Sequence, residues 1–244
     1  MRLKGKQIVV TGGSKGLGRA LTLRYASEGA RVAICARSSD ELNRLNIELS
    51  SRGAHILCLP CDIADPEQVG QFARSVLEDL GTVDVLVNNA SILGPRIELV
   101  EFSKPSWDRV IDVNLNGLFN VTKAFLPSMV ASRSGSIINV TSSVGKKGRA
   151  RWGAYAVSKF AMEGFTQTLA DEVRTFGIRV NSVNPGPMDT GMRHAAYPDE
   201  DRSKLRSPEE VTEVFVFLAA DESRGVTGQY FEAQKFERKT KETI

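Results

Sequence analysis

The sequence predicts an α/β fold: a single-domain, doubly wound parallel sheet of about seven strands with helices on both faces. Three observations predict it. Short β-branched runs alternate with longer helical patterns along the chain, as in repeated strand–helix–strand units. The short runs are nearly all apolar and do not alternate, as expected of strands buried on both faces. The 244 residues, 41% of them hydrophobic, suffice for one such core. No repeat, composition shift or low-complexity linker divides them.

The elements follow in order. Residues 8–11 form a first strand, and residues 17–28 a helix stopped by Gly29. Residues 31–36 are a second strand, 40–52 a helix with Gly53 as its stop, and 55–60 a third strand. A helix over 66–80 begins with Pro66 in its first turn. Residues 83–88 give a fourth strand, 106–131 one long helical stretch, and 136–141 a fifth strand. A helix over 154–175, a sixth strand over 178–183, a helix over 208–220 and a last strand near 229–232 complete the order. The charged end, 235–244, reads as a loose tail.

Composition excludes several function classes. The net charge is +3, with 25% charged residues of both signs interspersed. That is not the clustered basic footprint of a nucleic-acid binder, though it suits phosphorylated ligands. The three cysteines, Cys35, Cys58 and Cys61, are too few for a disulfide framework and point to a reducing, cytoplasmic setting. No signal segment is visible at the N-terminus. The longest apolar stretch, near 214–220, is far short of a membrane span. The pair Cys58-x-x-Cys61 lies at a strand end, not at the helix N-terminus a redox thiolate uses. With only His55 and His194 beside the cysteines, no metal site is expected.

The first strand runs into Gly12-Gly13-Ser14-Lys15-Gly16-Leu17-Gly18, which opens the first helix. Gly12 allows a sharp turn, Gly16 lets backbone approach a pyrophosphate, and Gly18 lets the helix pack close to the sheet. The helix N-terminus then offers free N–H groups and a positive dipole end, as in Rossmann-like dinucleotide folds. In such folds the end of the second strand meets the adenosine ribose, where an acid favours a free 2′-hydroxyl. Here Ala36 stands there, followed by Arg37 and Ser38. A guanidinium suits a phosphate by charge and fork geometry, and Lys15 could reach the same spot. Two basic residues and no acid at one place favour NADPH over NADH.

Tyr155 and Lys159 stand four apart, on one face of a predicted helix. Ser142 lies thirteen residues upstream of Tyr155 at the end of the fifth strand, with Ser143 as its one-residue rival. Hydride reduction of a ketone leaves an alkoxide that needs a proton. A free phenol, with a pKa near 10, gives one poorly at neutral pH. A nearby ammonium and a positive nicotinamide should lower that pKa, and a serine hydroxyl can steady the developing charge on the oxygen.

The Gly-x-x-x-Gly-x-Gly spacing, the Ser142…Tyr155-x-x-x-Lys159 set and Asn114 together resemble the short-chain dehydrogenase/reductase family over residues 5 to about 232. The layout is nearest to 3-oxoacyl-carrier-protein reductases. The resemblance implies an NADP-dependent enzyme acting on a small carbonyl or alcohol, with a 3-oxoacyl thioester as first guess. It gives Lys159 a hold on the nicotinamide ribose and Asn114 a water behind Lys159. It makes Asp62 and Ile63 the adenine contact. In Asn88-Asn89-Ala90 one amide is structural and the other, with Ala90, faces the cofactor. Ser91 departs from the family's Asn-Asn-Ala-Gly. Pro185, Gly186, Met188 and Thr190 match the segment beside the nicotinamide amide.

Other features remain open at this level. The family's lid, here between Thr190 and Ser207, is short and charged, which implies an open site. Trp152 is a candidate substrate contact. Lys146, Lys147, Arg149 and Arg151 form either a solvated loop or an attractor for an acidic substrate. The residues Phe231-Glu232-Ala233-Gln234 replace the usual Asp-Gly-Gly ending, which helps build one subunit interface. A homodimer or homotetramer is expected through the helices around Asn120 and Phe165. The rival from another class is a non-catalytic NADP-sensing protein of the same fold.

Overall fold

A computed structural model of the chain describes residues 1–238. Seven strands run β1 (Gln7–Thr11), β2 (Arg31–Ala36), β3 (Ile56–Pro60), β4 (Val85–Asn88), β5 (Gly135–Val140), β6 (Ile178–Asn184) and β7 (Tyr230–Glu232). They form one parallel sheet in the order β3-β2-β1-β4-β5-β6-β7. The order reverses between β1 and β4, and the crevice at that switch point is where such sheets bind ligands.

The apolar runs are explained by the two faces. Ile8 and Val10 point into one core with Leu21, Tyr25, Leu45 and Phe215, while Val9 points into the other with Phe72, Leu86 and Phe125. Side chains alternate across a strand, so a strand covered on both sides has no polar positions to spare. The first core is roofed by α1 (Gly16–Ser27), α2 (Ser39–Ser50) and α8 (Glu213–Ala219). The second lies under α3 (Pro66–Leu80), α5 (Gly117–Ser132) and α6 (Gly153–Glu172). Helix α3 starts sharply because Asp65 accepts from the backbone N–H groups of Glu67 and Gln68 at 2.9 and 3.3 Å, with Pro66 at the first position.

Four expectations change. The stretch 106–131 is not one helix: α4 (Lys104–Ile111) passes through a π-turn, Asp112–Asn116, into α5. The wide turn breaks no apolar periodicity, and it turns Asn114 inward. The helix expected over 208–220 splits into a 3₁₀ turn, Glu209–Val211, and the short α8. The lid contains a further helix, α7 (Gly191–Ala196), capped by Thr190, whose hydroxyl accepts from Arg193 N–H at 3.3 Å. The tail does not loosen at 235: Phe236 packs on Phe217 and Phe231, and Arg238 pairs with Glu222 at 3.0 Å. The rest of the expected tail lies outside the described residues. Among the described residues no helix is long and apolar enough to cross a membrane.

Candidate active site

Loops at the C-terminal edge of the sheet enclose one cleft of about 1050 Å³. It runs from Lys15 and Arg37 past Asn89 to Tyr155 and on to the lid at Tyr197. Every residue expected to face a cofactor, from Gly12 through Asp62 to Thr190, lines it; Asn114 does not.

The glycine loop is held open by its neighbours. Gly12 and Gly16 have φ of +64° and +52°, the left-handed region that favours glycine. A Cβ on Gly18 would overlap the Gly12 carbonyl oxygen. The two asparagines separate. Asn88 is buried and donates to Thr122 Oγ1 at 3.1 Å and Asn139 Oδ1 at 2.9 Å, tying β4 to α5 and β5. Asn89 lines the cleft, and its amide donates to the Thr11 and Gly12 carbonyls at 2.9 and 3.1 Å.

At the adenosine end the corner is not free of acid. Glu41, on α2, also lines the cleft. Its Oε2 accepts from Ser14 Oγ at 2.8 Å, and its Oε1 lies 3.6 Å from Lys15 Nζ. Ser38, expected at the adenosine ribose, also caps α2, accepting from Glu41 N–H at 3.4 Å. Arg37 is exposed and pairs with no carboxylate among the described residues. Asp62 is engaged by Arg109 at 2.6 Å and accepts from Ala64 N–H at 3.1 Å. Burial works against its charge, but these bonds hold it below the usual carboxylate range. Ile63 is buried against Gly117. Cys35 and Cys61 lie buried at this end, and burial raises the thiol of Cys58 to about 11, well away from redox readiness.

At the other end, α6 presents Tyr155 and Lys159, 7% and 1% exposed. The Lys159 ammonium lies 5.5 Å from the Tyr155 ring centre and donates to the Val140 carbonyl at 2.8 Å. Ser142, half-buried just after β5, lines the cleft and accepts from Val144 N–H at 3.4 Å, while Ser143 is exposed at the cleft wall. Both serines line the cleft, and Ser142 is the less exposed of the two. Asn114 sits beneath: it accepts from Ile92 N–H at 2.8 Å and donates to the Ile92 carbonyl at 2.9 Å and Ser158 Oγ at 3.1 Å. Ser158 in turn donates to the Tyr155 carbonyl at 2.7 Å.

Among the protein's own groups, burial dominates both side chains. Burial pushes Tyr155 up to about 12, against the pull of Ser142, and brings Lys159 down to about 7, against the charge of Glu163. Burial disfavours both charged forms.

Glu163, one turn beyond Lys159, was not singled out in the sequence. It is 6% exposed and accepts from Ser182 Oγ at 3.1 Å. Lys146 turns in to meet it at 2.9 Å and stacks over the Tyr230 ring at 4.6 Å. The run Tyr155, Lys159, Glu163 at spacing four was the signal available. Of the four basic loop residues, Arg149 lines the cleft.

The lid is docked rather than open. Tyr197 stacks near Trp152 at 6.2 Å, Arg96 lies over both rings at 4.4 and 4.8 Å, and Arg193 covers Tyr197 at 4.0 Å. Arg96 also donates to the Ala196 carbonyl, and Arg193 Nε pairs with Glu200 at 2.6 Å. Trp152 lies 5.6 Å from the Tyr155 ring, so this aromatic wall adjoins the candidate reacting centre.

Residues 6–201 match the family model described as short chain dehydrogenase. The chain belongs to the short chain dehydrogenase family. It is 37% identical over 235 residues to the uncharacterized oxidoreductase YciK of Escherichia coli, covering 95% of this chain and 93% of that protein. To the 3-oxoacyl-[acyl-carrier-protein] reductase FabG of Thermotoga maritima it is 40% identical, covering 94% and 96%. A short chain dehydrogenase structure from Shigella flexneri, complexed with NADP, superposes with a TM-score of 0.92 at 37% identity, covering 96% and 98%. Like its relatives in the short chain dehydrogenase family, this chain is an oxidoreductase. The seven-stranded parallel sheet with helices on both faces is the family's fold.

Proposed function

We propose that the whole chain is one catalytic domain, an NADPH-dependent carbonyl reductase or alcohol dehydrogenase with Tyr155 as its acid/base. The observation that carries this reading is the single cleft that joins the glycine loop to Ser142, Tyr155 and Lys159. The cleft fits a dinucleotide. The glycine loop is shaped where side chains would block it, the α1 N-terminus faces in, and Arg37 stands free for a 2′-phosphate. The NADP complex of a relative 37% identical supports the same choice.

When bound, the nicotinamide supplies or accepts the hydride. The protein does the rest. Ser142 holds the substrate oxygen and Tyr155 gives it a proton. Lys159 as an ammonium, with the charge of the oxidised nicotinamide, offsets the burial that keeps the phenol weakly acidic. Asn114 fixes the loop after β4 to α6 and so positions the backbone that carries Tyr155. Trp152, Tyr197, Leu93 and Met192 wall the substrate end, with Arg149 at its edge. A 3-oxoacyl thioester has an apolar body and an anionic carrier end, and both fit that wall.

The reading places the enzyme in a reducing cytoplasm, which suits its three free cysteines. It also makes it a homodimer or homotetramer. Phe119 on α5 and Val157 and Phe160 on α6 are about half exposed and would be covered by a second copy. Consumption of NADPH and NADH across a panel of 3-oxoacyl thioesters, ketones and aldehydes tests the activity, and light scattering tests the assembly. Turnover with NADPH is expected. Tight NADPH binding with no turnover of any carbonyl would contradict an enzyme and favour a sensor.

A further inference from the structure

Glu41 occupies the position from which a helix-capping glutamate usually reaches back to the backbone N–H of its cap. Its carboxylate does not do so. It leans out of α2 across the cleft to the glycine loop, where it takes the Ser14 hydroxyl at 2.8 Å and faces Lys15 Nζ at 3.6 Å. Ser14 is buried and Lys15 exposed, and both line the cleft beside Arg37 and Ser38. The other acid at this end, Asp62, is already engaged by Arg109. Among the described residues that line the cleft, Glu41 is therefore the carboxylate not held by an arginine.

We propose that Glu41 sets the cofactor selectivity of this cleft by holding Lys15 and Ser14 against a 2′-phosphate and offering an acceptor to a 2′-hydroxyl. The inference rests on the dinucleotide reading above. Two cations, Lys15 and Arg37, attract a 2′-phosphate, and one carboxylate among them offsets half of that charge and occupies one of the two cations. A 2′-phosphate must draw Lys15 from Glu41 and sit near a like charge. A 2′-hydroxyl can instead donate to the carboxylate at no such cost. The preference for NADPH set by Arg37 is thus narrowed, and NADH is accepted as a second cofactor.

The test is calorimetric titration of the full chain with 2′,5′-ADP and with 5′-AMP, in wild type, E41Q and R37A. Glutamine keeps the size of Glu41 and an oxygen for Ser14 while removing the charge. E41Q is expected to tighten 2′,5′-ADP by about three- to tenfold, the range for one like charge in a partly exposed site. It should leave 5′-AMP unchanged or weaker, and R37A should move the ratio the opposite way. An unchanged or lowered ratio in E41Q, with R37A still losing 2′,5′-ADP, would overturn the role of Glu41. Equal loss of both probes in E41Q would do the same by making Glu41 structural. A wild-type chain that binds neither probe, or only 5′-AMP, would fail the NADPH reading itself and this inference with it.

Discussion

Lys146 ends 2.9 Å from Glu163, the carboxylate one helical turn beyond Lys159. A basic-loop cation thus ends a row of alternating charge, the buried Lys159 and Glu163 and the exposed Lys146, behind the candidate reacting centre. Glu163 opposes the burial that brings Lys159 down to about 7.

The sign of a pH effect follows. If reduction needs Lys159 as an ammonium, activity falls as pH rises through its pKa. Removing the anion lets burial lower that pKa further. E163Q should move the alkaline fall of kcat/KM to lower pH by about one unit, measured as a pH profile beside wild type. A profile of unchanged shape and lower height would make Glu163 structural only.

Asn114 is 1% exposed, and removing it strands the Ile92 N–H and carbonyl, with Ser158 Oγ losing a donor. Each buried unmet group costs about 1–3 kcal/mol. Asn114→Ala should therefore lose about 2–4 kcal/mol in urea denaturation. A loss under about 0.5 kcal/mol, the scale of neutral surface changes, would show that the anchor is replaceable.

Two glycines predict opposite outcomes. Gly18→Ala forces a methyl onto the Gly12 carbonyl and should abolish NADPH binding and lower the melting temperature. Gly70→Ala, inside α3 with only Arg74 Nη1 at 3.6 Å, should raise stability by about 0.5–1 kcal/mol through helix propensity. Thermal melts with and without NADPH check both.

Arg96 lies over Trp152 and Tyr197 and donates to the lid backbone. Arg96→Lys keeps the charge and loses the planar stacking. It should raise KM for the carbonyl several-fold with a smaller change in kcat. A change confined to kcat would place Arg96 outside substrate capture.

Much of this was legible in the chain. Strand β2 and helix α3 have the bounds read from sequence, because Gly29, Asp65 and Pro66 mark their edges with local chemistry. The cleft's lining was readable because its motifs are short and contiguous. The π-turn was hidden because the buried positions Val110, Val113, Gly117, Leu118 and Val121 keep three- and four-residue spacing across it. Helix α7, six residues long, is too short to show a period. Glu41 carried no signal in the sequence, and Lys146 read as one charge of a basic loop. Their roles depend on partners 27 and 17 residues away (Ser14 and Glu163), which spacing alone does not announce. Tyr155's high pKa is a burial effect, invisible to a motif.

Whether Tyr155 supplies the proton for carbonyl reduction is read from single-turnover reduction by Tyr155→Phe with NADPH prebound. The rate should fall at least about a hundredfold, the lower range for a general acid, with NADPH affinity within about twofold of wild type. A variant that keeps the wild-type single-turnover rate would contradict that role.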